Sequence, residues 1–126
     1  MSANSNKWPT PFFCGLSFLL FAGYEVYARV SQGHSLAYSF GLLSCSPIGW
    51  LFLVGTILAW RGFTAGFALT SVLNLFTFGG ACLWLSVYDE HRTHVFTIAL
   101  ESAVLGAITL WQFFVAMKLN RVKTVN

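Results

Sequence analysis

Residues 64–88 read TAGFALTSVLNLFTFGGACLWLSVY, twenty-five positions without one charged side chain. About 20 mostly apolar residues in a helix are enough to cross the hydrocarbon of a bilayer. Strict polar–apolar alternation, the mark of a membrane strand, is missing from this stretch. The segment therefore predicts a transmembrane helix, and three more runs like it lie along the chain. The first covers residues 12–28 and meets Arg29; the second covers 36–60; the fourth covers 95–117. Short polar breaks separate them: Ser31-Gln32-Gly33-His34, then Arg61-Gly62, then Asp89-Glu90-His91-Arg92-Thr93-His94. The expected fold is an all-α integral membrane protein, a single domain of four transmembrane helices joined by short loops.

Composition agrees. Of 126 residues, 56% are hydrophobic and only 9% are charged. A soluble domain carries about 25% charged residues because its surface must face water. The net charge of +3 is small and scattered, so no basic run points to nucleic acid. The expected surroundings are the lipid bilayer and either further copies of the chain or a larger membrane complex. Cys14, Cys45 and Cys82 stand far apart in apolar stretches; their odd number and spacing argue for buried small hydrophobes rather than a disulfide framework or a zinc site.

Four spans put both termini on one side. Lys7, Arg61, Lys118, Arg121 and Lys123 collect there, against Arg29 and Arg92 on the other side, so both termini are expected in the cytoplasm. Trp8 and Trp60 would then sit in the inner aromatic belt. Lys7, the apolar residues 12–23 and Val26-Tyr27-Ala28 have features of a cleaved leader, but Glu25 and Tyr27 in the cleavage region favour a retained span. Pro47 lies inside the second run. It cannot donate to the Leu43 carbonyl, so the sequence predicts a kink there with that carbonyl left unpartnered.

Charged groups inside a membrane are costly and mark candidate sites. Glu25 lies about one turn before the outer end of the first span, and Glu101 about two turns after the outer start of the fourth. At a rise of about 1.5 Å per residue, both fall roughly 6–10 Å below the outer boundary. Arg29 follows Glu25 by four and can pair with it; Cys14 shares the same stripe. Glu101 has no basic residue within four positions, so its partner must come from another helix, from water or from a proton. Gln112 shares its stripe. On the third span Thr70, Ser71, Asn74 and Thr77 recur at helical spacing and are expected inward, with Leu69, Leu73 and Phe76 toward lipid.

Tyr24, Tyr27, Tyr38 and Tyr88 all fall at outer span ends, which fits an interfacial belt. Some of these rings can also join the carboxylates in attracting an organic cation. His91 and His94 have the spacing of one helical face but lack a defined third ligand, so no metal is expected, and no cofactor motif is present. The candidate binding set is Glu25, Glu101, Asn74, Gln112, Arg29, Tyr24 and Tyr27. The leading expectation is a small transporter or binding protein coupling a proton or small cation to these carboxylates, working as a homo-oligomer. The rival is an accessory or assembly subunit docking through small-residue faces, Ala99-Ala103-Ala107 or Gly55-Ala59. A membrane enzyme acting on a lipid is a weaker third; none of the common catalytic motifs occurs.

Overall fold

A computed structural model describes residues 8–90 and 92–125, with side chains followed as far as Arg121. Lys7 and His91, and the side chains of Lys123 and Thr124, lie outside the described residues. The chain forms five helices: α1 (Phe12–Ser31), α2 (Leu36–Ser44), α3 (Pro47–Trp60), α4 (Thr64–Val87) and α5 (Arg92–Val125). Among the described residues there is no strand. Three of the helices, α1, α4 and α5, are long and apolar enough to cross a membrane. The pair α2 and α3 would make a fourth span if taken together.

Two glycines set the helix ends. After α1, the His34 N–H bonds back to the Arg29 carbonyl (3.2 Å) and the Gly33 N–H to Val30 (3.0 Å). After α3, Phe63 bonds to Leu58 (2.9 Å) and Gly62 to Ala59 (3.2 Å). Both turns need a left-handed residue, and Gly33 (φ 94°) and Gly62 (φ 90°) provide it without a Cβ clash.

The second apolar run breaks where a kink was expected. α2 and α3 meet at 69°. The Leu43 carbonyl is not left open, for it accepts the Ser46 N–H at 3.0 Å. The reason lies in the dipeptide Ser46-Pro47. Ser46 is an N-cap whose hydroxyl accepts from the Gly49 N–H at 3.4 Å, and Pro47 sits at the first helical position, where a missing N–H costs nothing. Ser-Pro here starts a new helix instead of bending an old one. The Trp50 indole N–H then ties the two halves, donating to the Ser44 carbonyl at 2.6 Å.

Other expectations shift too. α5 begins at Arg92, inside the expected loop, and runs 34 residues through the basic tail. Arg92 holds its start, donating to the Leu85 carbonyl (2.9 Å) and pairing with Asp89 (3.6 Å). Leu73, expected outward, is buried with Thr70, Ser71 and Asn74, because α4 is contacted on both sides; Val72, Leu75, Phe76 and Leu83 carry its outward face. Cys14 is buried as expected, but Cys45 and Cys82 are exposed, Cys45 because it ends α2 at the break.

α4 and α5 form the main pair, with α3 on the other flank of α4. Gly66 lets the α4 backbone close on α3 at Gly55 and Ala59: a Cβ on Gly66 would overlap the Ala59 backbone nitrogen and lie 2.5 Å from the Gly55 carbonyl oxygen. The Gly55-Ala59 face is thus spent inside the bundle and is not open to a partner. On the other flank the Ser71 hydroxyl donates to the Gly106 carbonyl at 3.3 Å. α1 joins through Asn74, whose amide donates to the Ser17 hydroxyl at 2.9 Å.

The start of the chain straps one end of this assembly. The Trp8 indole N–H donates to the Ala59 carbonyl at 3.0 Å, and its ring packs on Phe67 at 5.6 Å. The Gln112 amide donates to the Thr10 carbonyl at 2.9 Å. Beneath them Cys14, Ala59, Phe67 and Ala116 form a closed apolar core. Residues near 8–10, 59–67 and 112–116 therefore share one end.

Candidate functional site

At the opposite half, α1, α4 and α5 surround a cavity of about 280 Å³, with Phe52 of α3 as a further wall. The break at Pro47 bends α2 by 69° from α3, and α2 packs on α1. Phe52 stacks on Phe21 with ring centres 5.2 Å apart, sealing the α3 side. Ser17 and Asn74 supply polar groups from α1 and α4, Ser102 and Glu101 from α5, and Tyr24 and Glu25 from α1.

Glu101 finds its partner in the first helix. The Tyr24 hydroxyl donates to its Oε2 at 2.6 Å, the length of a charge-assisted O–H···O bond. Among the described residues no partner is seen for the other oxygen of Glu101. Glu25 pairs with Arg29 at 3.5 Å, one turn along α1, and both side chains are more than a third exposed. Such a pair contributes little stability, but it keeps the rim of the cavity polar. The His94 ring meets Tyr24 edge-on (5.2 Å) and lies tilted on Tyr27 (5.5 Å).

Of the candidates read from the sequence, Tyr24, Glu25, Asn74 and Glu101 line this one cavity. Arg29 touches it through Glu25. Tyr27 lies just outside it, on a neighbouring groove. Gln112 is not part of it, although it shares a helical stripe with Glu101: eleven residues carry it to the strapped end, where it holds Thr10. Its Oε1 is buried there without a partner among the described residues. Replacing Gln112 by Met removes one hydrogen bond and one unsatisfied oxygen together, so thermal unfolding should show a stability change within about 1 kcal/mol. Ligand binding in the distant cavity should be unchanged; a loss there would place Gln112 in the site after all.

His94, Ser17 and Ser102 also line the cavity and were not among the binding candidates. A signal for the first two exists. His94 precedes Glu101 by seven and Ser17 precedes Tyr24 by seven, two helical turns in each case, which puts each pair on one face. Among the described residues no three His, Cys, Asp or Glu side chains come together as metal ligands. His34, on the same side in sequence terms, stacks on Tyr38 instead (4.7 Å).

No family model, curated protein or solved structure matches this chain. What the site can do must therefore be read from its own chemistry. It offers a carboxylate with one open oxygen, a second carboxylate on the rim, and aromatic faces between them. That set suits a positively charged guest or a proton better than an anion.

Proposed function

We propose that this chain is an integral membrane protein with four spans and cytoplasmic termini, acting as a small transporter or binding protein for a proton or small cation. The hydrogen bond from Tyr24 to Glu101 inside a cavity carries this reading. It marks a carboxylate held in place between helices with one oxygen to spare. Tetraethylammonium binding by the purified protein tests it. Binding that depends on Glu101 supports it; no binding favours duty as an accessory subunit of a larger complex.

The membrane assignment rests on the three long apolar helices and the broken pair. α3 alone, with 14 residues, rises roughly 21 Å. α2, bent by 69° and nine residues long, adds roughly 5 Å along the same axis, so the pair approaches the ~30 Å hydrocarbon core. In this arrangement α2 lies obliquely near the outer boundary. Leu36, Tyr38 and Phe40 are exposed there, suited to an interface. Transport by so narrow a bundle would require further copies of the chain.

Sidedness follows from charge. Arg61 follows α3 at the strapped end, and Lys118 and Arg121 lie on α5 beyond Ala116 at that end, whereas Arg29 and Arg92 lie at the other, where Glu25 and Asp89 pair with them. The positive-inside rule then makes the strapped end cytoplasmic and the cavity outward-facing. Single cysteines placed at Thr93 and Thr124, in a variant whose natural cysteines are replaced because Cys45 and Cys82 are exposed, should label differently. An impermeant reagent applied outside should reach position 93 and not 124. The reverse pattern would overturn the orientation.

A further inference from the structure

Against the cavity lies a second hollow of about 350 Å³, lined by Leu19, Leu20, Gly23, Tyr24, Tyr27 and His94. Leu20, Tyr24 and His94 line both, so the two hollows meet at these side chains. The second hollow faces away from the bundle: Leu19 is 65% exposed and Tyr27 61%. Leu19, Gly23 and Tyr27 follow at intervals of four, a stripe on α1 roughly 12 Å long. Gly23 forms its floor, since a Cβ there would meet no atom within 4 Å. The two hollows differ in chemistry: the inner one holds Glu101 and Glu25, and the outer one has no acid.

We infer that the two hollows are the two ends of one site for an amphipathic organic cation, with the ammonium head on Glu101 and an alkyl or aryl tail in the groove past Gly23. This rests on the cation-binding reading and adds to it the class of ligand. Charge complementarity assigns the head to the inner cavity, where the open oxygen of Glu101 and the Tyr24 ring can surround it. The tail has an apolar groove that adjoins that cavity along the shared residues Leu20, Tyr24 and His94. In a membrane the groove would face lipid, so the ligand would reach the carboxylate sideways between α1 and α5.

Butyl-, hexyl- and octyltrimethylammonium share one head and differ in tail, which makes them the probes. They are titrated into the full chain in lipid nanodiscs, with empty nanodiscs correcting for partition. Wild-type affinity should rise from butyl to octyl by roughly tenfold or more, since buried methylenes add up. Gly23→Leu fills the groove; it should bind the butyl probe as wild type does and lose the gain. That retained binding also shows the variant folds. Tyr27→Ala, which shortens the groove wall from the exposed side, should reduce the gain from butyl to octyl. Equal affinity for all three probes in the wild type, or a full gain in both variants, overturns the groove while leaving the cation reading in place. Failure of the wild type to bind any probe overturns the cation reading and this inference with it.

Discussion

In a Glu101→Gln protein, tetraethylammonium affinity is expected to fall about a hundredfold while the fold survives. Glutamine keeps the size of the side chain and still offers a carbonyl oxygen to the Tyr24 hydroxyl, the group that now bonds Oε2 at 2.6 Å. Only the charge is lost. Removing one member of a buried charge pair costs about 2–5 kcal/mol, and about 2.7 kcal/mol is a factor of a hundred. Glu25 cannot replace it, because Arg29 already balances that carboxylate at 3.5 Å. Calorimetric titration measures the affinity, and a thermal melt by circular dichroism confirms the fold. If the Gln protein binds as tightly as the wild type, the carboxylate mechanism is lost and the accessory-subunit reading replaces it.

Gly66→Ala should be the most damaging single methyl in the protein. A Cβ at this position meets backbone atoms of α3, the Ala59 nitrogen and Cα and the Gly55 carbonyl oxygen, and backbone has no rotamer by which to retreat. α3 and α4 would have to separate, opening the Gly55–Thr70 contact and the apolar core around Phe67 and Ala59. Overpacking typically costs about 1–3 kcal/mol and more when nothing can relax. Gly79→Ala is the matched control, since its Cβ would meet nothing within 4 Å and alanine is the better helix former. The first variant should melt well below the wild type in detergent, and the second at or above it. Equal melting of all three would show that the helices do not cross this closely.

The apolar runs were legible because each is long and holds at most one charged residue, and helices do follow from every one of them. Their ends were less so. Nothing in the composition of residues 89–94 says that Arg92 starts a helix; that depends on the Leu85 carbonyl being within reach of its guanidinium. Pro47 shows a different failure. Proline in an apolar run suggests a kink, but Ser46 before it supplies a cap, and the cap decides the outcome. Leu73 looked like a lipid-facing residue on a helix with one polar stripe, yet α4 has neighbours on two flanks, so the buried arc is wider than that stripe. At the site, Tyr24 and Glu101 could each be singled out from their positions. That they meet could not be read, because 77 residues separate them and the rotation of α1 about its own axis settles which side chains face α5. Gln112 misled for the complementary reason: a shared stripe fixes direction around a helix but says nothing of what lies eleven residues farther along.

The strap formed by Trp8 and Thr10 also bears on how the protein is made. Trp8 waits for Ala59, 51 residues later, and Thr10 waits for Gln112, 102 residues later. At about 5–20 residues per second on the ribosome, the second of these contacts becomes available roughly 5–20 s after Thr10 has been synthesised. During that interval the Thr10 carbonyl lacks its partner from the last helix. A chain halted after α4 would hold the Trp8 contact and lack the Thr10 one. Fastening of Thr10 thus waits for the last helix, whereas fastening of Trp8 does not.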